Sequence, residues 1–353
     1  MLIGLCGGIC AGKSSVASYL AEVHGFKRIR LARSNTTPAV EKSASQSHVP
    51  QDETQLEDEL AFPDVDSLLD FVTKSWHRRY VTTDIWDEQV VDALIKRPFF
   101  LLVSVDAPVS VRWERFKARC SAHSLTPPTL PEFVVRNDEH LYSAPSHLAS
   151  LLHRAQLRLL NSTPSLDALH AALGELDLPN DARLRPSWDQ YFMQLASLAA
   201  QRSNCMKRRV GCVLVREKRV ISTGYNGTPR NMRNCNEGGC PRCNAAAPGG
   251  ASLATCLCIH AEENALLEAG RERIRENSIL YCDTCPCLTC SIKITQVGIS
   301  EVVYSQAYSM DTQAAAIFKE SGVTLRQFVP PRDGLVDLGA TAAELSLRCK
   351  INN

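Results

Sequence analysis

His260-Ala261-Glu262 and, later in the chain, Pro286-Cys287-Leu288-Thr289-Cys290 combine an imidazole, two thiols and a carboxyl group in the pattern H-x-E…P-C-x-x-C. Each stretch opens a helical pattern. His260 and both thiols therefore fall where unpaired N–H groups and the positive end of a helix favour anionic ligands. One imidazole and two thiolates make three ligands for zinc, which leaves the fourth tetrahedral position open to water. The metal lowers the pKa of such a water from about 15.7 toward 7. Glu262, two residues from His260, can reach that water without ligating the metal, take its proton and hand it on. A purely structural zinc would need four protein ligands and no unmated glutamate. The set available for one, Cys240-Pro241-Arg242-Cys243 with Cys287 and Cys290, is spread over far more chain than a typical zinc ribbon. The pattern reads as a catalytic zinc centre with His260, Cys287 and Cys290 as ligands and Glu262 as the acid–base group.

A second stretch that could do chemistry is Gly7-Gly8-Ile9-Cys10-Ala11-Gly12-Lys13-Ser14. It fits G-x-x-x-x-G-K-[ST] between an apolar strand, Leu2 to Cys6, and a helical pattern from Lys13 to Val23. In that setting the loop N–H groups from Gly7 to Gly12 cradle phosphates, Lys13 reaches the outer oxygens and Ser14 holds Mg²⁺. The stretch resembles the phosphate loop of nucleoside-monophosphate and dephospho-coenzyme-A kinases. Asp106-Ala107-Pro108 followed by Arg112, Arg115 and Arg119 is similar to their lid region. The acidic residue expected after the second strand is missing, because the chain there reads Arg28-Ile29-Arg30-Leu31-Ala32-Arg33. Three readings stay open: a working kinase, a nucleotide site that transfers no phosphate, and a scaffold.

These two sets of residues need two frameworks, and 353 residues are enough for both. Residues 1–180 alternate strands and helices, and Phe99 to Val105 is a continuous apolar run of the kind buried in parallel sheets. Within them 34–55, polar and without aromatic residues, reads as a disordered insertion. A proline-flanked polar linker is expected at 181–186. From 187 to 331 the order is αββαβαβαβ. Ser187 caps a helix with Trp188, Tyr191, Phe192, Leu195 and Leu198 on one face, and Val210 to Val215 pairs with Arg219 to Gly224 as a hairpin. Helices then start at His260 and Pro286. Residues 332–353 read as a loosely attached tail.

Composition narrows the function classes. With 39 Lys+Arg against 38 Asp+Glu and a net charge of +1, there is no electrostatic case for binding nucleic acid. No apolar run reaches the length of about eighteen residues that a membrane span needs, and Met1 to Leu5 has no basic leader, so a cytoplasmic and also nuclear location is expected. Of fifteen cysteines, Cys235, Cys240, Cys243, Cys256, Cys258, Cys282, Cys285, Cys287 and Cys290 cluster in one stretch. In a reducing compartment such a cluster reads as metal ligands rather than disulfides. Cys205 and Cys212 read as buried small residues, and Cys282 and Cys285 as strand and loop thiols near the zinc.

The H-x-E…P-C-x-x-C pattern is an established signature of zinc deaminases. Residues 187–330 further resemble the deoxycytidylate (dCMP) deaminase family in its fungal form. The resemblance is carried by Trp188-Asp-Gln-Tyr-Phe-Met193, by Arg202-Ser203 through Val210-Gly211, and by Gly224-Tyr225-Asn226-Gly227-Thr228-Pro229. His260-Ala-Glu-Glu-Asn-Ala265 and Gly298-Ile-Ser-Glu-Val-Val303 add to it. The Gly-Tyr-Asn-Gly element separates this family from cytidine deaminases and tRNA adenosine deaminases. The resemblance implies an α/β protein: a cytidine-deaminase fold, with a mixed β-sheet and helices on both faces, behind an N-terminal P-loop kinase-like α/β domain. It implies hydrolysis of dCMP to dUMP and ammonia for thymidylate synthesis, by a homo-oligomer, often a hexamer, that dCTP activates and dTTP inhibits. It also implies that Asn226 holds the sugar hydroxyl, Lys207 meets the phosphate and Tyr308 packs on the nucleotide. From the residues alone, Asn226 is also a turn former, Lys207-Arg208-Arg209 a solvated charge run and Tyr308 a core aromatic. Some members carry a second, structural zinc before the catalytic helix. Cys235, Cys240, Cys243 and Cys258 are its expected ligands here, with Cys256 the rival of Cys258.

Overall fold

The computed structural model describes residues 1–32, 60–143, 148–245, 253–307 and 311–339. The insertion expected at 34–55 and the aromatic ring of Tyr308 lie outside the described residues. Met1–Arg185 with Arg332–Asn353 makes one unit, and Pro186–Pro331 makes the other.

In the first unit β1 (Leu2–Gly7), β2 (Lys27–Leu31), β3 (Leu60–Phe62), β4 (Tyr80–Thr82), β5 (Phe100–Asp106) and β6 (Leu157–Leu160) form a parallel sheet, with β1 between β4 and β5. Every residue of β1 is buried, as a strand covered on both faces requires. Strand alternation sends Ile3 and Leu5 into one core with Val16, Leu20 and Val103, and Leu2 and Cys6 into the other with Leu68, Val91 and Leu102. The helix Lys13–His24 leaves the glycine loop directly. The segment expected as a linker is tied to this unit instead. Asp181–Arg183 forms one 3₁₀ turn, and the Arg183 guanidinium donates to the carbonyls of Leu176 and Arg332, both at 2.7 Å. An arginine has five donors in a fixed fork, so one side chain can clamp a stretch that composition marks as linker.

The second unit has a mixed sheet of β7 (Gly211–Arg216), β8 (Arg219–Tyr225), β9 (Ser278–Thr284), β10 (Glu301–Gln306) and β11 (Thr324–Gln327), in the order β11-β10-β9-β7-β8. β7 runs antiparallel to both neighbours, while β9, β10 and β11 are parallel. Glu217 and Lys218 turn the β7–β8 hairpin at φ 51° and 61°, the paired left-handed conformation of a two-residue loop. The helix Trp188–Ala200 covers one face, with Phe192, Met193 and Ala196 against Val213, Val215, Tyr281 and Val303. The helices Ala261–Ala269, Leu288–Gln296 and Asp311–Ser321 cover the other, with Ala265, Ile294 and Phe318 against Leu214, Leu280 and Val302. This is the mixed sheet with helices on both faces that the sequence implies.

The loose tail expected at 332–353 is corrected over its described part, 332–339. Gly334–Asp337 forms β12, parallel to β6 with Gly334 opposite Leu157, and Val336 and Leu338 enter the core of the first unit. A strand of four residues is too short for its alternation to stand out from a polar tail. Among the described residues, no helix is long and apolar enough to cross a membrane.

Candidate active site

Two helix starts bring the expected metal ligands together. His260 caps the helix Ala261–Ala269 and Cys287 caps the helix Leu288–Gln296, both with extended backbone (φ −79°, ψ 159° and φ −75°, ψ 168°). Cys290 follows in the first turn of the second helix and is fully buried. His260 Nδ1 lies 3.3 Å from the Sγ atoms of both Cys287 and Cys290. A tetrahedral zinc with bonds of about 2.0 Å to nitrogen and 2.3 Å to sulfur has an N···S edge of about 3.5 Å. The donor set therefore fits zinc. Among the described residues the group stops at three donors, the number that leaves a coordination position for water.

Glu262 sits in the first turn of the His260 helix and is only 4% exposed. Burial pushes its carboxyl up to about 7; the charge of His260 opposes this, while those of Cys287 and Asp283 add to it. A carboxyl group near neutrality can both accept and return a proton at pH 7. The Cys287 thiol is held low, at about 3, by a hydrogen bond from Cys290 and by others from His260 and Thr289.

The sheet fixes where His260 points. A Cβ added to Gly224 on β8 would lie 2.0 Å from Ala261 O and 2.5 Å from Ala265 N, so only glycine lets this helix lie so close. Asn264 Nδ2 donates to Tyr225 O at 2.9 Å. Glu263 Oε2 accepts the His260 backbone N–H at 3.1 Å, and its other oxygen pairs with Lys293 on the Cys287 helix. Sequence reasoning missed both residues, although they stand inside the quoted His-Ala-Glu-Glu-Asn-Ala segment. The available signal was the capping spacing, a glutamate three residues after the helix cap.

Residues 186–306 match the family described as the cytidine and deoxycytidylate deaminase zinc-binding region. Deoxycytidylate deaminase of Schizosaccharomyces pombe is 50% identical over 336 residues, which cover 94% of this chain and 99% of that protein. The chain belongs to the deoxycytidylate deaminase family. The Saccharomyces cerevisiae member is 48% identical over 278 residues, covering 74% of this chain and 85% of its own length. The member from Mycobacterium phage D29 is 43% identical over 125 residues, covering 95% of that protein and 34% of this chain.

Of the residues that the deoxycytidylate deaminase resemblance assigns to the nucleotide, Asn226 is 8% exposed and its amide is engaged. Its Oδ1 accepts from Ser203 Oγ at 2.7 Å and Val210 N at 2.9 Å, and its Nδ2 donates to Arg208 O at 2.8 Å. Asn226 thus clamps the 203–210 loop that carries Lys207. Lys207 itself is exposed, with its backbone N–H on Cys205 Sγ at 3.4 Å. Asp283, at the end of β9, went unnoticed in the sequence. It accepts the Gly211 N–H at 3.2 Å, and burial raises its carboxyl to about 6. A carboxylate inside an apolar strand was the signal for it.

Cys205 and five cysteines of this stretch converge on a second cluster. Cys205, Cys235, Cys243 and Cys258 form one group of four sulfurs, and Cys240, Cys243, Cys256 and Cys258 form another. Cys205, expected as a buried small residue, is corrected to a member of this cluster. Cys256 and Cys258, expected as rivals, both belong to it. Segments distant in sequence supply these thiols, so C-x-x-C spacing reveals only Cys240 and Cys243.

In the first unit, Gly7 and Gly12 have φ 149° and 107°, and a Cβ on Gly7 would lie 1.9 Å from Val105 O. Lys13 Nζ donates to Gly7 O at 2.8 Å and Gly8 O at 2.9 Å, and burial lowers its amine to about 8. Ser14 follows it in the first turn of the helix. Arg112 is buried on the carbonyl of Ala107 and on Asn137 Oδ1, with Asp106 at 3.5 Å. Arg115 donates to the carbonyls of Ala11, Asn161 and Thr163.

Proposed function

We propose that this chain hydrolyses dCMP to dUMP and ammonia at the His260–Cys287–Cys290 centre, with Glu262 moving the protons. The observation that carries this reading is a buried glutamate, raised toward neutrality, beside a group of three metal donors that it does not join. Zinc on His260, Cys287 and Cys290 would supply a water of lowered pKa at the open position. Glu262 takes a proton from the attacking water and gives it to the ring nitrogen next to C4. A second transfer through the same carboxylate lets the amino group leave as ammonia. Exclusion of bulk water around Glu262 keeps that proton within the site. Asn226 holds the 203–210 loop and faces the sugar hydroxyl, Lys207 meets the phosphate, and Tyr308 packs on the nucleotide.

The names of the two yeast relatives support the substrate, and the family resemblance supports the rest of the reading. Product dUMP feeds thymidylate synthesis, dCTP activates, dTTP inhibits, and the working form is a homo-oligomer, with a hexamer favoured. The Gly7–Ser14 loop takes a nucleotide phosphate, with Lys13 on its oxygens and Mg²⁺ on Ser14.

Ammonia release from dCMP, dCTP, deoxycytidine and adenosine-bearing tRNA, measured with and without added dCTP, tests the proposal. Turnover of dCMP alone, raised by dCTP, is expected. Equal turnover of deoxycytidine would remove the phosphate contact, and no turnover by zinc-loaded protein would remove the reaction.

A further inference from the structure

The six thiols of the second cluster are too many for one zinc ion. Their two groups of four share Cys243 and Cys258, and within each group the sulfurs lie within 4.8 Å of one another. Cys205 and Cys243 are 3.8 Å apart in the first group; Cys240 and Cys256 are 3.9 Å apart, and Cys243 and Cys256 3.8 Å, in the second. The shared pair is 4.0 Å apart. A disulfide needs about 2.05 Å, so none of these pairs is bonded. A tetrahedral zinc with bonds of about 2.3 Å to sulfur has S···S edges of about 3.8 Å. These four spacings match edges of two tetrahedra that share the Cys243–Cys258 edge, and the remaining sulfur pairs of each group lie within 4.8 Å.

We propose that this cluster holds two zinc ions. Cys243 and Cys258 bridge them, Cys205 and Cys235 complete one tetrahedron, and Cys240 and Cys256 complete the other. Two divalent ions on six thiolates leave a net charge of −2, the same as one ion on four. The second ion thus uses two further thiols at no added charge. The surroundings suit thiolates in the unshared positions. Cys205 Sγ accepts the backbone N–H of Lys207, Cys235 Sγ that of Met206 and Cys240 Sγ that of Leu257, each at 3.4 Å. Arg242 Nη1 lies 3.8 Å from Cys256 Sγ. Cys235, Cys240, Cys243 and Cys258 are buried, which keeps competing water away. Cys258 lies two residues before His260, and Cys205 two before Lys207. The pair of ions therefore pins both the approach to the catalytic helix and the loop offered to the phosphate.

Metal counting on the full-length purified protein tests this independently of the reaction. Three zinc ions per chain are expected, falling to two in His260→Ala. Two ions in the parent and one in that variant would overturn the bridged pair and leave a single structural ion. Two ions in both proteins would keep the pair and take zinc away from His260. Cadmium exchange gives a second readout: the cluster is expected to show two thiolate-bound cadmium NMR signals, each split by the other. One unsplit signal from the cluster overturns the proposal.

Discussion

The two units each place a loop with ligand-binding potential where a sheet strand leads into a helix, and they use it differently. In the second unit the reactive groups point at one another: His260, Cys287 and Cys290 converge, and Glu262 is buried beside them. In the first unit the cations are turned back on the protein. Lys13 lies on the carbonyls of Gly7 and Gly8, Arg112 on Ala107 and Asn137, and Arg115 on Ala11, Asn161 and Thr163. A converged donor set is arranged for a metal ion. A glycine loop whose lysine is satisfied internally can take a phosphate only by exchanging those bonds. The alignments follow the same division, since the phage relative is almost wholly covered by a segment a third as long as this chain, whereas the fission-yeast relative matches nearly all of it.

The sharpest break in this comparison is Glu262→Gln. Turnover of dCMP should fall by about 10²- to 10⁴-fold, the usual weight of an acid–base group, while the zinc content stays that of the parent. Loss of zinc together with activity would make Glu262 part of the metal framework. Next comes Gly224→Val, which forces Ala261 and Ala265 off β8. The transition of the second unit in urea should lose about 3 kcal/mol, at the upper end for overpacking, and an unchanged midpoint would mean that the helix can move away freely. For the first unit, Lys13→Ala should weaken binding of ATP or dCTP to the Gly7 loop by about tenfold, or 1.4 kcal/mol, as read by calorimetry. Equal affinity in parent and variant would leave the loop a scaffold.

The smallest effect is expected at Asp189. Arg326 holds its carboxyl below the usual range through hydrogen bonds, one of them 2.7 Å long, and the Tyr281 hydroxyl adds another at 2.8 Å. A depressed folded-state pKa contributes stability above the unfolded value of about 3.9 and loses it as pH falls through the lower folded value. Asp189→Asn should therefore cost about 0.5 kcal/mol near neutrality, as for other partly exposed pairs, and the gap from the parent should close in acid. A gap that persists at low pH would assign the loss to packing.

The candidate catalytic group was legible because its residues sit at helix starts with fixed short spacing, which is information a linear sequence carries. The αββαβαβαβ order was legible for a similar reason, since Val210 to Val215 and its neighbours alternate or run apolar at strand length. Of the six-sulfur cluster, the sequence named Cys235, Cys240, Cys243 and Cys258, with Cys256 as a rival, and left out Cys205. Cys240-x-x-Cys243 declares itself, but Cys205 reaches the group only through the fold, and two overlapping tetrahedra have no linear pattern. Positioning residues were equally hidden: Asn264 matters because Tyr225 O is opposite, and Asp283 because Gly211 N–H meets it across the β7–β9 pair. Arg183 and β12 escaped because a polar stretch and a four-residue strand carry too little periodicity to be read.

The return of the chain at β12 has a consequence for how the protein is made. Among the described residues, β6 is an edge strand of the first unit's sheet until residues 334–337 pair with it, and the whole of the second unit must be synthesised before they do. At about 5–20 residues per second, that interval is on the order of 10 s. An open parallel edge is a template for pairing with other chains. The nascent protein therefore carries its aggregation-prone surface through the synthesis of its catalytic half, and a message truncated after Pro331 would leave that surface permanently uncovered.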